Sequence, residues 1–236
     1  GENFANPGST SGSNGNGLFK SIDGGNSFQQ LETTANDPRF TNINRVIISP
    51  EDPNLLLVCS IGFNASGVFE DDTSYILRST DGGENWTEVF DSKNEIQQII
   101  ASPDDFNIQF ATLNSKGIYK SIDAGLSWTF SSSGLATSGR IEMDISPVIT
   151  DHIFAYTQGG SNGTDADLYV SRDGGASWIL TREENGQNNI DNLLQGNYDN
   201  VVLAHPFDAN TVYMGGVDLF KAVVSDDFID QTNITV

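Results

Sequence analysis

The sequence repeats one octet four times, and this octet constrains the fold more than any other feature. Each copy has the pattern Ser-x-Asp-(Gly/Ala)-Gly-x-x-(Trp/Phe), and the aspartates are 58, 42 and 50 residues apart. We call each octet a box; the boxes are residues 21–28, 79–86, 121–128 and 171–178. Self-similarity at a period of about 40–50 residues is typical of architectures that stack one structural unit many times.

Four residue types recur in every box: serine, aspartate, glycine and an aromatic residue. They are Ser21, Asp23, Gly25, Phe28; Ser79, Asp81, Gly83, Trp86; Ser121, Asp123, Gly125, Trp128; and Ser171, Asp173, Gly175, Trp178. Glycine allows the positive φ of a tight hairpin, and Asp and Ser bond backbone N–H groups within their own turn. The aromatic residue is predicted to begin a strand. We interpret all four types as structural, because a catalytic group is not needed once in every repeat.

A second motif alternates with the boxes. It reads Ser-Pro-Glu-Asp-Pro-Asn at 49–54 and recurs in altered form at 102–107, 146–152 and 205–210, each time before an apolar run. We call these segments the Ser-Pro turns. His152 is aligned with their Asn and His205 with their Ser, so both histidines are expected to be turn residues rather than metal ligands or general bases. One unit therefore contains a strand, a Ser-Pro turn, a strand, a connection, a strand, a box and a strand.

The predicted fold class is all-β: a β-propeller of four-stranded antiparallel blades with box hairpins, forming an incomplete portion of a larger propeller. Stacked blades bury the faces that a single sheet leaves exposed. A ring of four, closed by a blade that the two ends share, is the alternative. The predicted segments are a flexible Gly/Ser/Asn-rich stretch at 1–16, a partial blade at 17–31, full blades at about 43–91, 96–131 and 140–182, and a partial blade at about 198–236.

The boxes resemble those of the Asp-box, or BNR-repeat, β-propellers. That family includes sialidases, family 74 xyloglucanases, sortilin-type receptor domains and photosystem assembly factors. The resemblance covers roughly residues 17–222, and the Ser-Pro turns are similar to those of bacterial BNR-repeat or sortilin-like surface proteins. It implies a propeller of six or more blades, hence additional chain. Because the family contains hydrolases, receptors and scaffolds, it does not imply one activity.

The charge balance excludes several partners. The chain has 11 Lys and Arg residues and 32 Asp and Glu residues, which gives a formal charge of -21. A basic surface that could bind nucleic acid or an anionic membrane is therefore not expected. No stretch has the ~20 apolar residues of a membrane span. Calcium is the one cofactor considered, since it prefers carboxylate oxygens. The calcium candidates lie in two acidic loops without EF-hand spacing: Asp71 and Asp72, and Asp165 and Asp167.

The sequence offers no catalytic constellation. The sialidase resemblance would require three converging arginines and a Phe/Tyr-Arg-Ile-Pro motif, and that motif is absent. Arg172 lies inside a box. Arg78 shares its repeat position with Lys20, Lys120 and Lys221, a pattern that favours solvated cations at strand edges. A xyloglucanase would need two carboxylates ~6.5–9.5 Å apart, which cannot be selected among 32 acidic residues.

These observations predict a non-catalytic extracellular binding or scaffolding module of a secreted or cell-surface protein. Its loops would bind protein or glycan, without nucleic-acid binding or direct membrane insertion. One alternative is a BNR-type glycoside hydrolase whose catalytic residues lie partly outside this segment. The other is a secreted cargo or partner subunit within a larger secretion or surface assembly.

Overall fold

The regular structure of the chain is almost entirely β-strand. The computed structural model describes residues 15–61, 73–136, 139–159, 165–181, 200–216, 218–225 and 228–233. Two short 3-10 turns, Glu32–Thr34 and Pro38–Phe40, precede the first long strand. Among the described residues, no helix is both long and apolar enough to cross a membrane.

The chain divides into two compact units. The first contains residues 1–99 and 123–127, and the second contains residues 100–122 and 128–236. The first unit begins with a two-stranded sheet, β1 (Phe19–Lys20) and β2 (Gln29–Gln30). A four-stranded antiparallel sheet follows, formed by β3 (Asn42–Ile48), β4 (Leu56–Ile61), β5 (Ser74–Ser79) and β6 (Thr87–Ser92).

Three further four-stranded sheets complete the described fold. The third sheet contains β7 (Ile96–Ala101), which crosses the boundary between the units, β8 (Gln109–Leu113), β9 (Gly117–Ser121) and β10 (Thr129–Phe130). The fourth contains β11 (Ile141–Ile145), β12 (Ile153–Gly159), β13 (Asp165–Ser171) and β14 (Ile179–Leu180). The fifth contains β15 (Val201–Ala204), β16 (Thr211–Gly215), β17 (Leu219–Ser225) and β18 (Phe228–Asn233).

In every sheet the strands follow one another in chain order, so each sheet is an antiparallel meander. The four-stranded unit predicted from the alternating motifs is thereby confirmed. In the last sheet, β17 and β18 pair from Phe220–Asn233 to Ser225–Phe228 without a box between them. Six cross-strand residue pairs connect these two strands.

Apolar side chains between neighbouring sheets form the core of the second unit. One cluster joins Phe110 and Ile118 of the third sheet to Ile141, Met143 and Ala155 of the fourth. A second cluster packs the opposite face of the fourth sheet, including Phe154 and Leu168, against Val212 and Met214 of the fifth. The fourth sheet is therefore buried on both faces. This explains why β12 reads as an almost continuous apolar run rather than an alternating one.

Candidate functional site

Each box is a hairpin turn held by its own serine and aspartate. In the second box, the hydroxyl of Ser79 donates to Asp81 Oδ1 at 2.8 Å and accepts the N–H of Gly83 at 2.9 Å. The Asp81 carboxylate also accepts the backbone N–H and the side-chain amide of Asn85, at 2.9 and 2.7 Å. The turn therefore uses both carboxylate oxygens internally.

The other three boxes repeat this arrangement with a serine in place of the asparagine. Ser27, Ser127 and Ser177 each donate a backbone N–H at 2.9 Å and a hydroxyl at 2.6 Å to the aspartate four residues earlier. The four aspartates thus lie in four separate hairpins. Each one bonds within its own turn, as a structural interpretation of the boxes would require.

These hydrogen bonds favour the ionised form of three of the box carboxylates, those of Asp23, Asp81 and Asp173. The side chain of Ser27 lowers the pKa of Asp23 to about 2, and the side chain of Asn85 lowers the pKa of Asp81 to about 2. Burial by itself would raise the pKa of Asp173, but the hydrogen bonds from Ser177 lower it, and the pKa remains below its ordinary value. A carboxylate of this kind does not donate a proton near neutral pH, which disfavours a general-acid role.

The fourth and fifth residues of every box have a left-handed backbone. In the fourth box, φ is 65° at Gly174 and 85° at Gly175. The third box has Ala124 at the fourth position with φ 56°, a conformation that disfavours a side chain. The hairpin geometry is therefore retained even where the sequence lacks the preferred glycine.

Three of the four repeated cations make a hydrogen bond that the sequence did not predict, whereas Lys221 is exposed, as expected. Each of the three donates to the main-chain carbonyl at the fourth position of the next box along the chain, a contact that we call a joint. The joints are Lys20 Nζ to Gly82 O at 3.0 Å, Arg78 Nε to Ala124 O at 2.9 Å, and Lys120 Nζ to Gly174 O at 2.7 Å.

A fourth joint is made by a different residue. Val170 occupies the cation position on β13, and Arg172, two residues later, donates instead to Val224 O at 3.2 Å and to Asn210 Oδ1 at 3.1 Å. Val224 lies one residue before the fourth position counted from Lys221, but it makes the same main-chain bond: its N–H bonds to Asn210 O as that of Gly174 bonds to Asp151 O. A contact like the joint is therefore present here, although the fourth sheet lacks the cation on β13 and the fifth sheet lacks a box.

The box aromatics differ in their contacts and exposure. Trp178 is buried, and its indole N–H donates to Ser131 O at 2.8 Å. Trp86 packs edge-on against Phe40, with ring centroids 5.1 Å apart. Phe28, in the first box, is 63% exposed. The strands after the second, third and fourth boxes begin one residue beyond the aromatic, at Thr87, Thr129 and Ile179, rather than at the aromatic itself.

Equivalent main-chain hydrogen bonds close the Ser-Pro turns, and they correct the alignment of His152. The N–H of Ser49 bonds to Leu55 O, and the N–H of Ser146 bonds to His152 O. His152 therefore matches Leu55, and Asp151 matches the asparagine of the motif. The third turn has the same length as the first, so the sequence comparison had placed His152 one residue out of register. His205 does take the place of the serine, since its N–H bonds to Thr211 O in the same way.

Two carboxylates of β11 are more enclosed than the box aspartates. Burial raises the pKa of Asp144, whose carboxylate accepts the N–H of Ala204 at 2.8 Å and of Ile145 at 3.0 Å. Glu142 is 4% exposed and pairs with Arg140 at 2.6 Å. Sequence reasoning missed both residues because they occur once and interrupt an otherwise apolar strand. That interruption was the only available signal.

The calcium candidates are only partly described. Asp71 and Asp72 lie outside the described residues, as does the side chain of Asp165. Asp167 is half-buried on β13. Within the described part of the chain, no group of three His, Cys, Asp or Glu side chains is arranged to hold a metal ion.

A family model matches residues 74–233, more than half of the chain, and is described as Sortilin-Vps10 (sortilin, neurotensin receptor 3). The chain belongs to the Sortilin-Vps10 family. Its membership confirms the predicted relationship to the BNR-repeat propellers, of which sortilin-type domains are one branch. No curated protein sequence matches the chain.

Solved structures confirm the fold of this Sortilin-Vps10 chain. The GH74 enzyme of Niastella koreensis is 20% identical, with a TM-score of 0.61, and the match covers 93% of this chain and 34% of that enzyme. An ancestral GH74 enzyme is 14% identical, with a TM-score of 0.55 and coverages of 93% and 35%. The chain thus spans about a third of the length of these enzymes. The fold is an all-β propeller of four-stranded antiparallel sheets.

Proposed function

We propose that this Sortilin-Vps10 chain is a non-catalytic binding module that holds a protein ligand on its exposed turns. The observation that carries the proposal is that recurring and non-recurring side chains have different environments. Residues that recur in every repeat bond to the backbone of a hairpin or a neighbouring sheet. Residues that do not recur are left exposed on the turns, where recognition by propellers is expected.

Four exposed turn residues of the second unit are large and apolar. Phe207 is 86% exposed, Ile122 is 73% exposed, and Val148 and Ile149 are each nearly half exposed. They lie on turns of the fifth, third and fourth sheets, respectively. Exposed apolar side chains on a strongly acidic chain mark a contact surface for protein, and the receptor named in the family description supports the same class of ligand.

A binding screen tests this function. The biotinylated chain would be applied to a library of displayed peptides and to a glycan array, and bound ligands would be measured again with two variants. Phe207→Ser is expected to weaken binding at least tenfold, whereas Val46→Ser, an exposed position in the first unit, is expected to leave it unchanged. Binding of glycans alone, or equal affinity of the two variants, would contradict a protein-binding turn surface.

A glycoside hydrolase is the second candidate, and two observations favour it. The fold matches a GH74 enzyme with a TM-score of 0.61. In addition, the raised pKa of Asp144 is a property that general acids share. Release of reducing sugar from a polysaccharide, lost in Asp144→Asn but retained in Asp104→Asn, would establish hydrolysis. We favour binding because Asp144 accepts two backbone N–H groups, which is sufficient to explain its position.

We also propose that the chain works outside the cytoplasm, on a secreted or surface protein, alone or within a larger secretion or surface assembly. The family match supports this location. Treating intact source cells with a protease that cannot enter them tests it: the segment is expected to be cleaved without lysis. Cleavage only after lysis would contradict the proposal.

A further inference from the structure

The Ser-Pro turns of the second, third, fourth and fifth sheets have the same length, so their positions can be compared directly. In each turn the N–H of the first residue bonds to the carbonyl six residues later: Ser49 to Leu55, Ser102 to Ile108, Ser146 to His152, and His205 to Thr211. The residues at the third and fourth positions differ between turns. They are Glu51 and Asp52, Asp104 and Asp105, Val148 and Ile149, and Phe207 and Asp208.

The turn of the fourth sheet has two apolar residues where the turns of the second and third sheets have two acidic ones. The backbone does not require this change. The N–H groups of Val148 and Ile149 bond to Ser146 Oγ at 3.2 and 3.3 Å, and the two acidic residues of the second sheet bond to Ser49 Oγ at 3.3 and 3.2 Å. Apolar side chains that stay in water do not stabilise the folded chain, so an adjacent exposed pair indicates contact with another molecule.

This apolar pair is exposed although the fourth sheet has a neighbour on each face. The fourth sheet packs against the third sheet on one face and against the fifth sheet on the other. Even so, Val148 is 48% exposed and Ile149 is 45% exposed. Exposure at these two positions is therefore a property of the turn itself. Phe207 takes the position of Val148 on the turn of the fifth sheet.

Side-chain contacts connect the turns of the third, fourth and fifth sheets. Thr150 Oγ1 donates to Asp104 Oδ2 at 2.9 Å, which connects the turn of the fourth sheet to that of the third. His152 Nδ1 lies 3.4 Å from Ala209 O, which connects the turn of the fourth sheet to that of the fifth. The three turns therefore form one continuous surface of the second unit, with the apolar turn in the middle.

Carboxylates flank the apolar turn on both sides. The three turns contain four aspartates and no lysine or arginine. Hydrogen bonds, the strongest from the Ser102 side chain, lower the pKa of Asp104, and hydrogen bonds, the strongest from the Asn210 N–H, lower the pKa of Asp208. Both side chains are exposed, and a carboxylate oxygen that accepts one hydrogen bond can accept another from a ligand. The two outer turns thus present fixed negative charge.

We propose that this surface binds an extended peptide segment of a partner protein, in which apolar residues lie between two basic groups. We call the surface the Ser-Pro strip; it consists of acidic residues towards both ends and apolar residues between them, namely Asp104, Asp105, Val148, Ile149, Phe207 and Asp208. Packed sheets are about 10 Å apart, so the strip is about 20 Å long and an extended segment of about six residues covers it. The inference rests on the proposed function and specifies the chemistry of its ligand.

Two labelled peptides of identical composition test the order of the groups by fluorescence anisotropy. The first is Arg-Arg-Ser-Leu-Phe-Ser-Arg-Arg, and the second, Leu-Arg-Ser-Arg-Arg-Ser-Arg-Phe, has its apolar residues at the ends. The chain is expected to bind the first peptide at least tenfold more tightly. Its affinity should fall as sodium chloride is raised from about 0.05 to 0.5 M, because salt screens exposed ion pairs. Equal affinities, or affinity unaffected by salt, would overturn the proposal.

Substitution of the apolar pair locates the contact. Val148→Ser combined with Ile149→Ser is expected to weaken binding of the first peptide at least tenfold. The control combines Val46→Ser with Ile48→Ser, which removes an exposed valine and isoleucine from β3, outside the strip, and should leave the affinity unchanged. Circular dichroism verifies that both variants are folded. Equal effects of the two variants would contradict a contact at the turn of the fourth sheet.

Removal of two charges tests the flanking carboxylates. Asp105→Asn combined with Asp208→Asn is expected to weaken binding of the first peptide at least threefold and to reduce its dependence on salt. The control combines Glu51→Gln with Asp52→Asn, which makes the same change of charge on the turn of the second sheet. It should leave the affinity unchanged. Equal losses in the two variants would show that only the overall charge of the chain attracts the peptide, and would overturn the proposed strip.

The displayed-peptide screen described above separates the failure of this inference from the failure of the proposed function. Enrichment of peptides with basic residues on both sides of apolar ones is expected. Enrichment of acidic or uncharged peptides that lose affinity in Phe207→Ser would overturn the proposed ligand chemistry and leave the binding role intact. A chain that binds no displayed peptide would contradict both.

Discussion

The side-chain nitrogen of Lys120 lies 2.7 Å from the main-chain oxygen of Gly174 and joins the third sheet to the box of the fourth. Lys120 also lies over the ring of Phe110, with 5.5 Å between Nζ and the ring centroid. The cation thus bonds at once to its own sheet and to the next. A cation and the left-handed turn of the next box make this contact at three places, through Lys20, Arg78 and Lys120.

Replacing Lys120 with Met is expected to destabilise the fold by about 1–2 kcal/mol, because a half-buried charge-assisted hydrogen bond is lost while the apolar stem is retained. Urea denaturation monitored by tryptophan fluorescence measures the change. Lys116→Met, at an exposed turn, is the control and should alter the free energy of unfolding by less than about 0.5 kcal/mol. Equal effects would show that the joint contributes nothing.

The contribution of a box serine hydroxyl to the free energy of unfolding should be larger where the box is more buried. Ser171→Ala removes the acceptor of the buried Gly175 N–H and is expected to cost about 1–3 kcal/mol. Ser21→Ala removes the same bond to Gly25 in an exposed box, where water replaces the hydroxyl, and should cost less than half as much. Thermal unfolding of the two variants makes the comparison; the reverse order would refute this explanation.

Two glycines with the same backbone geometry should respond differently to alanine. Gly25 and Gly175 have φ values of 89° and 85°, so both variants incur the strain of a left-handed alanine, about 1 kcal/mol. Only Gly175→Ala also places a Cβ atom 2.6 Å from Phe110, which we expect to add about 1–3 kcal/mol. Unfolding free energies that agree within about 0.5 kcal/mol would exclude close packing at the fourth box.

The low pKa values of Asp23 and Asp81 set a pH window for the stability of their turns. Each carboxyl has a pKa of about 2 in the folded chain, against 3.8 without its hydrogen bonds. Their contribution to stability is therefore complete above pH 3.8 and is lost as the pH falls towards 2. Titration of the carboxyl carbons by NMR should give these midpoints. Ser27→Ala should raise the pKa of Asp23 alone; midpoints near 3.8 in the unsubstituted chain would contradict the turn geometry.

The repeat made the strand order predictable, because box and Ser-Pro turn alternate and each must connect two antiparallel strands. The acceptor of Lys120 was not predictable in the same way. A cation at a fixed repeat position is compatible with solvation or with a buried contact, and only the spatial neighbour, 54 residues later in the chain, distinguishes the two. The contact of Arg172 with Val224 was even less predictable from the sequence, because neither residue is of the same type as its counterparts in the other repeats.

A misalignment limited the prediction at His152. The third Ser-Pro turn is as long as the first, because Ser146 N bonds to His152 O and Ser49 N bonds to Leu55 O, so the asparagine of the motif is matched by Asp151 and not by His152. The enclosed carboxylate of Asp144 was beyond prediction for a related reason. Its acceptance of the Ala204 N–H depends on how the fourth and fifth sheets meet, which strand periodicity does not specify.

Hydrogen exchange of the Lys120→Met variant tests most directly whether the repeated cations lock the boxes of the following sheets. If they do, amides in residues 171–178 will exchange about fivefold faster or more, the effect of about 1 kcal/mol on local opening, while those in residues 79–86 keep their rate. Unchanged exchange in residues 171–178, or equal acceleration in both boxes, would contradict the role of the joint.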